Sequence, residues 1–117
     1  MGWTPAETNT HQDHVIAHVI GATPESYFIW DETAYLVLDI GFIWNIYLDM
    51  EMGLVPHRLA MSELGIDPEL TDLDCGPIES VELFADGEER RLDLNCESRV
   101  VLIETSLNHR WTRIKTD

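Results

Sequence analysis

A chain of 117 residues, 44% of them hydrophobic, is one domain's worth of globular sequence, long enough to bury about 65% of its unfolded surface. Its net charge of −15 sets seven Lys and Arg against 22 Asp and Glu, which argues against nucleic acid and anionic membranes as partners, since both attract bases. No apolar run approaches the ~20 residues that span a bilayer, and Met1–Thr10 carries neither the basic nor the apolar region of a secretory signal, so the sequence reads as cytoplasmic.

Taken in order, residues 1–12 read as an exposed, flexible arm ahead of one β-rich domain over residues 13–117. His14–Ile20 is rich in β-branched residues and predicts a strand, although Gly21 would also suit the end of a helix. Ala22–Glu25 is a turn, Tyr27–Trp30 a strand and Asp31–Thr33 a turn.

The dominant signal follows. From Phe28 to Leu54 every even position but Glu32 is apolar, a period of two that marks a strand with one buried face. The core face stays even on both sides of Gly41, so a two-residue hairpin there is excluded, because such a loop switches parity. A continuous strand or a loop with an odd residue count satisfies the pattern. Straight, Tyr35 to Met50 would span roughly 50 Å, so the reading is one long strand at about 34–52, sharply bent near Gly41.

Val55–Ala60 reads as a continuation of the sheet. Asp67-Pro68-Glu69 has the order of a helix start and predicts one short helix, ended by Gly76-Pro77. The C-terminal third is a meander. Asp86-Gly87 signals a tight hairpin, and the expected parity switch is present between Val81, Leu83, Ala85 and Leu92, Leu94, Cys96. Val100–Ile103 is a central strand and Trp111–Lys115 a short last one. The fold class is therefore mainly β, all-β or α+β with one short helix, as an antiparallel meander curling into a small barrel or half-barrel.

Charge is uneven along the chain. Glu63 to Glu89 holds ten acids and no base, while six of the seven bases lie at Arg90 or beyond, so the C-terminal strands are expected to pair with acidic neighbours. Cys75 and Cys96 are expected reduced, Cys96 as a small buried hydrophobe.

Three constellations could carry chemistry. His11, His14 and His18 would share one face of a helix, which is metal-ligand spacing. On a strand His14 and His18 stand roughly 13 Å apart, too far to hold one ion, so no metal site is expected and the pair stays a weak candidate. The acidic run Asp67–Asp74 lacks the Gly and Glu positions of a calcium loop. The odd face of the long strand mixes Tyr35, Val37, Asp39, Ile43, Asn45, Tyr47 and Asp49, the composition of an interface or a pocket wall. No nucleophile elbow, Cys-x-x-Cys or phosphate loop is present, so neither an activity nor a cofactor is implied.

These observations favour a small acidic domain acting by protein association, most simply a homodimer through the mixed odd face, with a cationic protein as a further partner. The rival is a small-ligand-binding or catalytic β-barrel with His14, His18 or His57 at its mouth.

Overall fold

The period of two in the middle of the chain builds a hairpin rather than one long bent strand. In the computed structural model, which describes residues 2–117, β3 (Thr33–Leu38) and β4 (Phe42–Ile46) pair with Leu36 opposite Trp44 and Val37 opposite Ile43. The connection is the three-residue loop Asp39-Ile40-Gly41, an odd count that preserves parity, with Gly41 at φ 82°. The bend inferred near Gly41 is thus a full reversal, which lets the two halves satisfy each other's backbone groups. A 3₁₀ turn, Leu48–Met50, then leads into β5 (Met52–Pro56), which pairs with β4.

The chain is mainly β, in two five-stranded antiparallel sheets that share one core. One sheet has the order β5-β4-β3-β2-β6, with β2 at Pro24–Trp30 and β6 at Thr71–Asp72. The other runs β1-β7-β8-β9-β10, with β1 at Thr4–Pro5, β7 at Ile78–Asp86, β8 at Glu89–Cys96, β9 at Val100–Ser106 and β10 at Trp111–Thr116. The last four strands form the predicted meander, joined at the β7–β8 hairpin where Gly87 takes φ 61°. Ala34, Leu36, Leu38, Trp44, Ile46, Met50 and Met52 from the first sheet and its turn meet Leu83, Leu92, Leu94, Val101 and Ile103 from the second. Burying this set is the main force holding the sheets together, at about 25 cal/mol per Å² of apolar surface.

Phe28 and Trp30 leave the even core face. The β2–β3 turn is a tight two-residue loop, Asp31-Glu32 at φ 50° and 63°, with Trp30 opposite Thr33. Such a loop switches parity, so Phe28 lies beside Tyr35 on the outer face, where the rings stack at 4.7 Å.

Two α-helices replace the single one expected, and neither lies where it was placed. The stretch read as a strand at His14–Ile20 belongs to α1 (Thr10–Val19). Its start is a capping box: Asn9 Oδ1 accepts from the Gln12 amide at 2.8 Å, and Asn9 N–H donates to Gln12 Oε1 at 3.0 Å. That reciprocal cap is worth about 1 kcal/mol and offsets the modest penalty of the β-branched residues. Val15 and Val19, one turn apart, are buried, and the Gln12 side-chain Nε2 donates to Met50 O at 2.9 Å. In the span read as an arm, Thr4 and Pro5 pair with β7 and Asn9–Gln12 cap and open α1, while Met1 lies outside the described residues.

Of the span Val55–Ala60 expected to extend the sheet, Val55 and Pro56 do so in β5, and the rest opens the second helix, α2 (His57–Leu64), which Gly65 closes at φ 62°. The segment from Asp67 is not helical: its one regular element is the two-residue strand β6. Leu70 stays exposed, while Leu73 enters the core with its N–H donating to Glu25 O at 3.1 Å. No helix among the described residues is long and apolar enough to cross a membrane.

Five of the six C-terminal bases meet acids, although none of those acids comes from the run Glu63–Glu89. Arg91 pairs with Asp93 at 2.6 Å, Arg110 with Glu32 at 2.7 Å and Arg90 with Asp49 at 3.3 Å. Glu104, in the central strand β9, receives Arg113 at 2.7 Å and Lys115 at 3.1 Å from β10.

Candidate functional site

The odd face of the β3–β4 region is not one surface. Ile43, its central apolar residue, is fully buried, because α2 packs on the outer side of β4 and β5. Tyr35 and Asn45 line a small depression with Val55, Ala60, Glu63 and Leu64. Burial there lifts the Tyr35 hydroxyl pKa above its ordinary value, against a lowering hydrogen bond with Thr33. Val37 is half-buried. Asp39 lies in the hairpin loop, exchanging bonds with Thr23: its carboxylate accepts from the Thr23 amide at 2.9 Å and its own N–H donates to Thr23 O at 3.0 Å. Tyr47 joins the Glu32–Arg110 pair, with Arg110 Nη2 3.0 Å from its hydroxyl. Asp49 sits in the 3₁₀ turn at φ 58° beside Arg90. The seven residues are thus divided among the side facing α2, the hairpin loop and the region of the 3₁₀ turn.

A different feature gathers the remaining candidates. The apolar even face of β3–β5 runs past the sheet rim at Ile40, Phe42 and Leu54. Ile40 is 46% and Phe42 37% exposed and Leu54 is half-buried, while the other even positions from Ala34 to Met52 are buried. Helix α1 lies alongside β5 and completes a groove of about 410 Å³, lined by His11, His14, Val15, His18, Ile40, Phe42 and Leu54. That volume is in the range of small-ligand and side-chain sites. One wall is imidazole and the floor is hydrocarbon.

The helix brings together what a strand would separate. His11 Nε2 lies 2.8 Å from Met52 O, tying the first turn of α1 to β5. His18 Nδ1 lies 2.8 Å from His14 O. A carbonyl can only accept, so each of these nitrogens carries its proton, and in the neutral ring the other nitrogen keeps a lone pair. His57 is not part of this wall; it begins α2, with its N–H donating to Gly41 O at 2.9 Å. Among the described residues no group of three or more His, Cys, Asp or Glu side chains is arranged to hold a metal ion.

The groove-floor residues escaped the sequence reading because Ile40, Phe42 and Leu54 fit the core-face pattern. Two signals pointed to them: the parity argument, which allowed a three-residue loop around Ile40, and the Asn9…Gln12 capping spacing, which predicts α1. Cys75 and Cys96 are buried and unbridged. Burial, together with the Cys75 thiol beside it, pushes the Cys96 thiol up to about 12, which keeps it protonated and unreactive.

No protein-family model matches the chain, and no curated protein or solved structure matches it.

Proposed function

We propose that the protein is a non-catalytic association domain that seats an apolar side chain of a cationic partner in the groove between α1 and the β3–β4 hairpin. The observation that carries this reading is the exposure of Ile40 and Phe42 beside a groove of about 410 Å³, apolar surface that the core does not use. Charge selects the partner. Five of the seven Lys and Arg are already in ion pairs, and these engage four carboxylates, so eighteen of the 22 acids make no ion pair among the described residues. A surface of that kind steers cationic proteins and repels a second copy at −15.

The competing occupant is that second copy, a homodimer. Its support moves from the mixed odd face, where Ile43 is covered, to the same groove. Light scattering at high micromolar concentration and low salt should report a monomer. Fluorescence anisotropy with a labelled amphipathic Lys/Leu peptide should then show binding that weakens at least about tenfold in Phe42→Asp, the loss of a strong contact residue. A dimer that dissociates in Phe42→Asp would establish the second copy as occupant. Equal peptide binding by wild type and Phe42→Asp would mean general charge attraction and would sink the groove reading.

A further inference from the structure

We infer that His14 and His18 form a two-imidazole site for a borderline divalent metal ion, of which Zn²⁺ is the representative, with its remaining coordination positions open to water or to an incoming ligand. The two residues stand four apart on α1, so both project from one helix face with Cβ atoms about 5–6 Å apart. That spacing is how helices present paired imidazoles to zinc.

Three further features favour the ion. Both side chains are exposed, so ligation takes no group out of the core. The bond from His18 Nδ1–H to His14 O orients the ring and leaves Nε2 with its lone pair, as a backbone carbonyl does for ligating histidines generally. The chain has no Lys or Arg before Arg58, so α1 carries no permanent cation to repel a dication, and the net charge of −15 attracts one. His11, three residues before His14, lines the same groove, and the contact of its Nε2 with Met52 O ties its ring to β5. No group of three or more ligating side chains is gathered among the described residues, so the site is a pair. Imidazole nitrogens select Zn²⁺, Ni²⁺ and Cu²⁺ over Mg²⁺ and Ca²⁺, which separates this site from general attraction to carboxylates.

The site depends on the geometry of α1 and stands whether or not the groove takes a partner. The test is isothermal titration of the full chain with Zn²⁺ alone in a non-chelating buffer. One saturable ion per chain is expected, weakened at least about tenfold in His14→Ala and in His18→Ala, since even outer partners of a ligand are worth that much. His57→Ala and His109→Ala should bind as wild type does. Because both substituted side chains are exposed, circular dichroism should show the variants folded. As a check that needs no variant, Ni²⁺ added to wild type should broaden the ring signals of His14 and His18 before those of His57 and His109. Zn²⁺ uptake without saturation, uptake that survives the double variant, or Ni²⁺ broadening of all the histidines alike would each overturn the site.

Discussion

Glu104 shows how a single residue is held against its own tendency. It sits in a central strand and is 5% exposed, and burial by itself would favour the neutral acid. Hydrogen bonds and charge from Arg113 and Lys115 outweigh that, and its pKa lies below the ordinary value. A carboxyl whose folded pKa is depressed contributes stability that is complete above the unfolded value, near 4.3, and disappears as pH falls through the folded value. Glu104→Gln should therefore cost about 1–2 kcal/mol at neutral pH, a figure reduced because both bases are half exposed. It should also flatten the loss of stability below pH 4. Urea titrations at pH 7 and pH 3 check this: equal losses at both would mean that the ion pairs contribute nothing.

At the scale of elements, α2 changes the meaning of a whole sheet face. By pattern, Ile43 belongs to a side the core does not need. The helix covers it and converts that side into a second, smaller layer in which Ile43 and Ala60 are buried and Val55 is half-buried. Ile43→Asp should consequently unfold the chain rather than release monomers from a dimer, costing more than about 3 kcal/mol because an uncompensated charge would be buried. Thermal melting by circular dichroism gives the answer: a variant that melts with wild type would show that α2 does not seal this face. The other helix, α1, makes the groove, and its cap at Asn9 and its anchor at Gln12 set where the histidine wall stands.

At the scale of the whole molecule, repulsion among carboxylates opposes the compact state. With eighteen acids that make no ion pair among the described residues and a net charge of −15, screening should help more than it harms. Raising NaCl from 20 mM to 0.5 M shortens the Debye length from more than 20 Å to about 4 Å. The melting temperature should rise over that range, whereas a fall would mean that the five ion pairs outweigh the repulsion. The same screening should weaken binding of a cationic peptide, so the salt dependences of folding and of association carry opposite signs.

How much of this was legible in the sequence depends on the range over which each feature is decided. The strands of the meander, the β7–β8 hairpin and the even face from Ala34 to Met52, buried except at Ile40 and Phe42, rest on side-chain alternation and two-residue turn chemistry, which act between neighbours along the chain. Of the ion pairs, Arg91–Asp93 and Glu104 with Arg113 and Lys115 lie within the meander, whereas Arg90–Asp49 and Arg110–Glu32 reach residues far back in the chain that charge order did not single out. The sequence by itself therefore determined a mainly β, acidic chain with that core. The tertiary structure decided the rest. Whether Gly41 bends a strand or closes a hairpin turned on what backbone partners lay within reach. His14–Val19 became helix because Val15, Val19 and Gln12 found places in the core, outweighing a local preference of a few tenths of a kcal/mol per residue. The groove and the covered face of Ile43 arise where α1 and α2 dock, far in sequence from the strands they meet, and no period within one segment encodes where another will land.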